Sequence, residues 1–213
     1  MVFCIRGMLM EISFWEKAFK SDTTFLFGSS PNKTVTDFEN LFNEKGAVLD
    51  IGCGDGKNVV YLARQGFKNI DAFDISETAI EKLKRISDNE KLEINSQVKS
   101  LQEFNFEKQY DLVMSFGVYH FVPEQEWKNF ILKAQQNTKL GGIHIIQMFN
   151  DNIPPTSDIA PYAVGMAKDG ELKKLYKDWE ILQFLSYEFE EKHPGVSLHK
   201  HASNKLVARK IRK

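Results

Sequence analysis

The sequence predicts an α/β fold: a mostly parallel sheet with helices on both faces, closed by an antiparallel hairpin at its C-terminal end. Three observations carry that prediction. Strand-like and helix-like patterns alternate through most of the chain. Apolar runs such as Ala47–Gly52 (AVLDIG) are continuous, as strands buried on both faces require. From Trp179 onward the helical patterns stop, and two strand-like stretches flank a turn sequence, Lys192-His193-Pro194-Gly195.

Ala47–Gly52 is the first strand, and Lys57–Gln65 follows as a helix with Val60, Leu62 and Ala63 at helical spacing until Gly66 stops it. Ile70–Ile75 (IDAFDI) is the second strand. Ser76 then caps a helix that has Glu77 in its first turn and Ala79, Ile80, Leu83 and Ile86 on one face. Leu92–Val98 and Tyr110–Ser115 are the third and fourth strands. Pro123, Glu124 and Glu126 open a helix that presents Trp127, Phe130, Ile131 and Ala134 at i, i+3, i+4 and i+7. Gly141-Gly142 then turns into the fifth strand, Ile143–Phe149, and crossovers of this kind are right-handed. Asn150–Gly170, with Pro154, Pro155 and Pro161, reads as a surface loop, and Glu171–Tyr176 as a short helix. Trp179–Glu190 and His199–Ile211 complete seven strands as the hairpin.

A chain of 213 residues with 42% hydrophobic and 27% charged residues is expected to fold as one globular domain. Its 28 basic and 29 acidic residues leave a net charge of −1, which argues against a protein built to coat nucleic acid. Cys4 and Cys53 are too few for a disulfide framework and suit a reducing compartment. No segment has the roughly 18–20 apolar residues of a membrane span. Val2–Met10 is interrupted by Arg6 and lacks a signal-peptide core. The expectation is a cytoplasmic protein with no membrane or nucleic-acid partner.

The most informative stretch is Val48-Leu49-Asp50-Ile51-Gly52-Cys53-Gly54-Asp55-Gly56. Glycines directly after a strand let a ligand approach the backbone at the carboxyl edge of the sheet. The dinucleotide fingerprint fails in register, because its third glycine falls on Lys57. Asp50 and Asp55 would also repel a pyrophosphate. A carboxylate at the strand end suits an ammonium instead, and Asp74, at the end of the second strand, suits a ribose diol. An ammonium, a ribose and no diphosphate describe S-adenosylmethionine better than NAD.

At these residues the chain resembles a known family. VLDIGCGDGKNVVYLARQG followed by DAFDIS is similar to the opening of class I S-adenosylmethionine-dependent methyltransferases, with their Rossmann-like sheet. YDLVMSFGVYHFVP and KLGGIHIIQMF resemble that family's fourth and fifth strands. Through AKDGELKKLYKDWEILQF and NKLVARK, the resemblance narrows to the tellurite-resistance methyltransferases over roughly residues 15–210. It implies S-adenosylmethionine as cofactor, S-adenosylhomocysteine as product, and a pocket lined by Asp50, Gly52, Cys53, Gly54 and Asn58. Asp74 and Ile75 would hold the ribose and adenine edge, Leu101 the adenine, and Ser115 and Phe116 the methionine portion. The segment Phe25–Asn32, including Phe27 and Gly28, resembles a cover over the cofactor. Residues 1–45 are thus expected to form a helical cover and 46–213 the methyltransferase domain.

Two departures from the family pattern stand out. Ser100 occupies a position that is often acidic, near the adenine amino group. Glu190-Glu191 stands where the tellurite enzymes carry a His-Arg pair, and two carboxylates do not suit an oxyanion. The acceptor is accordingly expected to be a small molecule, either a chalcogen oxyanion such as tellurite or selenite, or a thiol, amine or hydroxyl. A non-catalytic S-adenosylmethionine-binding sensor or partner subunit is the alternative reading.

Methyl transfer is an in-line displacement in which alignment supplies much of the rate, so a base is optional. Just past the fourth strand, Tyr119 and His120 are the candidate catalytic residues. His120 either accepts a proton or packs against Tyr119 and Phe121. His199 and His201, two apart on a strand, share a face and are candidate substrate contacts. No cysteine or carboxylate is visibly placed to make them a metal site, so none is expected. Asn152-Ile153-Pro154-Pro155 lacks the position and terminal aromatic of the N-P-P-[YF] element and reads as a stiff loop. The basic end, Arg209 to Lys213, reads as a solvated tail. Phe14, Trp15 and Phe19 read as core packing that can also cap the pocket.

Overall fold

The structure, a computed structural model, describes residues 15–20, 24–43, 45–157, 159–191 and 198–212. The predicted turn at 192–195, and Phe14, lie outside those residues. The apolar runs become the sheet. Its strands are β1 (Ala47–Ile51), β2 (Asn69–Asp74), β3 (Ile94–Val98), β4 (Tyr110–Phe116), β5 (Thr138–Phe149), β6 (Glu180–Glu191) and β7 (His199–Arg209), in the order β3-β2-β1-β4-β5-β7-β6. β1 pairs with β2, and β2 with β3, in parallel; β5 with β7, and β6 with β7, pair antiparallel. This is the mixed sheet with a terminal hairpin that the sequence predicts. Chain contacts divide the molecule into two compact units, Met1–Leu112 and Val113–Lys213.

In the first unit, β1 is buried at all of its positions because helices are expected on both faces of such a strand. Helix α1 is described over residues 15–19, and α2 spans Lys33–Phe38. Helix α3 spans Lys57–Arg64 and α4 Glu77–Glu90. The α4 N-cap is Ser76, whose hydroxyl accepts from the Ala79 amide at 3.1 Å. Ala79, Ile80 and Leu83 form its buried face, as their spacing predicts. Asp71 gathers the Tyr110 hydroxyl at 2.8 Å and the Lys108 ammonium at 2.9 Å, and these bonds hold its carboxyl below the ordinary range against the opposing effect of burial.

In the second unit, α5 (Glu124–Gln136) buries Trp127, Phe130, Ile131 and Ala134. Each large apolar side chain contributes about 1.5–3 kcal/mol through burial. The Trp127 indole N–H donates to the Gly165 carbonyl at 2.8 Å, which ties the loop after β5 to this helix. The short helix α6 spans Glu171–Leu175. One expectation fails here. Gly141-Gly142 does not precede the strand but lies inside β5, where Gly141 N–H donates to the Lys210 carbonyl and Lys210 N–H to Gly142, at 2.8 and 2.9 Å. His144 is fully buried, its ring nitrogens each 2.7 Å from the Thr138 and Tyr176 hydroxyls. Burial pushes its pKa down to about 3, so it is neutral. Among the described residues, no helix is long and apolar enough to cross a membrane.

Candidate functional site

The glycine turn leaves the end of β1 and enters α3. Gly54 and Gly56 hold φ of +55° and +85°, a region that side chains with a Cβ rarely enter. Crowding reinforces the requirement: a Cβ on Gly56 would lie 2.4 Å from Leu83 Cδ1 of α4, and one on Gly54 would lie 3.1 Å from Phe19 of α1. Phe19 is itself buried, so the aromatic pair Trp15 and Phe19 packs α1 over the turn. The Cys53 amide donates to Phe73 of β2 at 3.0 Å and holds the bend against the neighbouring strand.

Three carboxylates surround this bend. The Asp74 carboxylate accepts from the Gly54 amide at 2.8 Å and from the Ser76 amide at 2.9 Å, which fixes its orientation at the strand end. The Ile75 amide adds a third backbone bond, and the carboxylate keeps lone-pair capacity for a further donor. Asp50 is 1% exposed, and its Oδ2 has no hydrogen-bond partner. Burial, with the charge of Asp74 adding to it, pushes its pKa up to about 8, and the Lys57 ammonium only partly offsets this. Burial also raises Asp74 and Asp55. Cys53, between them, is held as a neutral thiol by burial and then by the charges of Asp74 and Asp50, so it is not a nucleophile.

The segment ahead of β1 is fastened to the same turn. Leu26 N–H donates to Asp55 at 2.5 Å, Asn32 N–H to the Asn58 side-chain carbonyl at 2.8 Å, and the Lys57 ammonium to the Phe27 carbonyl at 3.2 Å. Phe27 is 63% exposed beside Gly28, whose φ is +77°. The structure therefore brings Phe27, Gly28, Asp50, Gly52, Cys53, Gly54, Asn58 and Asp74 to one bend, with Ile75 directly after Asp74. Leu101 lies in the turn after β3, half-buried. Ser100, just before it, donates from both its amide and its hydroxyl to Glu103, at 2.9 and 2.8 Å. Glu103 is a participant that sequence reading did not assign, because it acts through a contact with Ser100 made by folding.

In the second unit, Ser115 is buried and Phe116 half-buried at the end of β4. Tyr119 is buried with its ring 6.4 Å from Trp127 and 6.5 Å from Phe130, and burial raises its phenol. His120 is 1% exposed and stacks on Phe149 at 4.2 Å, while its Nδ1 accepts from the Phe149 amide at 3.3 Å. Burial, with a smaller contribution from His201, lowers its pKa to about 3. The Phe149 amide thus occupies Nδ1, and the rings of Phe121 and Phe149 flank the imidazole at 4.1 and 4.2 Å. His199 and His201 share a face of β7, as their spacing predicts, while Lys200 points away and approaches Glu190 at 3.9 Å. Glu191, on β6 directly opposite His199, supplies the carboxylate that sequence spacing did not place.

Against known proteins, residues 33–204 match the family model described as tellurite resistance protein TehB. The chain is 32% identical over 139 residues to the probable S-adenosyl-L-methionine-dependent methyltransferase TehB of Haemophilus influenzae strain 10810, covering 64% of this chain and 47% of that one. It is 32% identical over 116 residues to the ubiquinone biosynthesis O-methyltransferase of Rickettsia conorii, covering 54% and 39%. The chain thus spans about half or less of the length of these relatives. The crystal structure of TehB from Haemophilus influenzae superposes with a TM-score of 0.74 at 26% identity, over 84% of this chain and 62% of that one. Magnesium protoporphyrin IX methyltransferase of Synechocystis PCC 6803, solved with bound S-adenosylmethionine, shares the fold with a TM-score of 0.59 at 17% identity, over 84% and 75%.

Proposed function

The chain belongs to the family of the tellurite resistance protein TehB, and from that membership we propose that it transfers a methyl group from S-adenosylmethionine to a small-molecule acceptor. The observation that carries the proposal is the partnerless Asp50 oxygen, buried at the mouth of a glycine bend beside two further carboxylates. A buried carboxylate without a partner is costly, and a cationic ligand removes the cost. A nucleoside that carries an ammonium and a ribose fits this donor set; a diphosphate does not.

In this reading Asp50 neutralises the ammonium. Asp74, already oriented by the Gly54 and Ser76 amides, takes the ribose diol on its remaining lone-pair capacity. Ile75 and Leu101 border the base, with Asn58, Gly52 and Cys53 around the bend. The Phe25–Asn32 segment, fastened through Asp55, Asn58 and Lys57, excludes water from it. When bound, S-adenosylmethionine supplies a methyl group already activated on a sulfonium, so positioning replaces a dedicated base.

For the acceptor, a small thiol is favoured over a chalcogen oxyanion, because Glu190 and Glu191 stand where the resemblance places a His-Arg pair, and the positive groups that would suit an oxyanion are not at those positions. The near-neutral charge and the Cys53 thiol accord with a small-molecule enzyme in a reducing compartment such as the cytoplasm. Methyl-labelled S-adenosylmethionine incubated with the protein and a panel of thiols, selenite and tellurite tests this. Labelled product that disappears in Asp74→Ala supports the enzyme. Tight S-adenosylhomocysteine binding without turnover of any acceptor would establish a sensor in its place.

A further inference from the structure

At the far end of the hairpin, away from the elements that carry the glycine bend in sequence, three side chains converge. Glu191 of β6 faces His199 across the antiparallel pair, and His201 lies two residues farther along β7 on the same face. Glu191 Oε1 is 3.1 Å from His201 Nε2 and 3.8 Å from His199 Nε2, and one donor atom from each of the three lies within 4.8 Å of the others. We propose that Glu191, His199 and His201 bind a divalent transition ion of the Zn2+ class, with the fourth position open to water or an anionic ligand.

The distances suit that ion. Zn–N and Zn–O bonds of about 2.0–2.1 Å at tetrahedral angles separate donor atoms by about 3.3–3.4 Å. The two separations from Glu191, 3.1 and 3.8 Å, bracket this value, and all three donor atoms lie within 4.8 Å of one another, so side-chain rotation has to draw the donors together around the ion. Two imidazoles and one carboxylate are also the ligand set of an open, three-ligand zinc site. The rings are held in place: His201 stacks on Phe149 at 4.4 Å and 11°, and His199 meets His201 edge-on at 4.7 Å. Phe189, 5.6 Å from His201, adds an apolar wall that limits competition from water. His201 and His199 are 3% and 9% exposed at their side chains while Glu191 is 41% exposed, so the open position faces solvent on the carboxylate side.

An ion pair engages one carboxylate oxygen with one imidazole, whereas a shared cation engages one donor atom from each of the three side chains. The proposal does not depend on the methyltransferase reading.

The test uses the full chain without a histidine tag, stripped with chelator and titrated with Zn2+ against a chromophoric competitor. Co2+ serves as the spectroscopic probe. The expected result is one Zn2+ per chain and a Co2+ spectrum of low coordination number. Uptake should be lost in His199→Ala/His201→Ala and kept in Lys200→Ala. No uptake by the wild type, or equal uptake by the double variant, overturns the proposal. If the double variant fails to fold, Glu191→Gln is read in its place, with circular dichroism as the check on its fold. A clear loss of Zn2+ affinity in that variant supports the site, and unchanged affinity overturns it.

Discussion

Replacing Asp50 with Asn separates the cost of a buried carboxylate from its use. The Asp50 carboxyl has a pKa of about 8 in the folded protein against an ordinary 3.8. A carboxyl raised in this way stabilises the fold fully below the unfolded pKa, and that stability is lost as pH rises through the folded one. At pH 7 the loss, relative to an unshifted group, is at most about 1.36 × (7 − 3.8), or about 4 kcal/mol. Asp50→Asn removes that loss but must house an amide, so the ligand-free variant should be more stable at pH 7 by about 2 kcal/mol. The gap should widen from pH 5 to pH 8, as read by urea unfolding.

Ligand binding runs the same linkage in reverse. With a pKa of about 8, Asp50 carries about 0.9 proton at pH 7 in the ligand-free protein. An ammonium placed beside it favours the ionised form, and the proton leaves. Calorimetry of S-adenosylhomocysteine binding in buffers of different ionisation enthalpy should therefore report release of close to one proton in the wild type. Asp50→Asn should release none and should bind more weakly. A wild-type enthalpy that is the same in every buffer, or an unchanged slope in the variant, would refute the assignment of Asp50 to the ammonium.

Asp74→Ala should weaken S-adenosylhomocysteine binding by about 1–3 kcal/mol through the lost ribose hydrogen bonds. It should also lower the melting temperature, since the Gly54 and Ser76 amides lose their acceptor; unchanged affinity by calorimetry contradicts the role. His120 is neutral with a pKa of about 3, so its contribution is present above pH 6.5 and lost as pH falls toward 3. His120→Phe should flatten the acid side of the stability profile by up to about 1.4 kcal/mol per pH unit, and parallel wild-type and variant profiles contradict this. Gly56→Ala, strained at φ +85° and placed 2.4 Å from Leu83, should cost about 2–4 kcal/mol in urea unfolding. A loss below about 1 kcal/mol would mean that α4 yields more readily than its packing indicates.

What could be read from the sequence was whatever a short window encodes. The strand, bend and helix at 47–64 are consecutive, so apolar continuity, glycine and helical spacing sufficed to place Asp50 at a strand end. Ser76 as a cap and the buried face of α5 are equally local. Gly141-Gly142 misled because two glycines are a turn signal within their own window, whereas pairing with Lys210 of the C-terminal segment keeps them in β5. His120 had two readings for a related reason: Phe149, which stacks on it and donates to it, lies 29 positions away.

The Glu191–His199–His201 cluster shows the limit most directly. Two histidines at i and i+2 share a face whatever the fold, but which carboxylate joins them depends on the register between β6 and β7. Side chains alternate with a period of two, so a slip of one residue would put Glu190 on that face and send Glu191 to the other. The bulge between Ile181 and Gln183 changes the pairing count along the hairpin, and no pattern in the sequence announces it. Adjacent glutamates make the two registers chemically indistinguishable on paper and opposite in space: Glu190 meets Lys200 near the surface, while Glu191 meets two largely buried imidazoles. A cation site at that face is therefore a property of the register rather than of the composition.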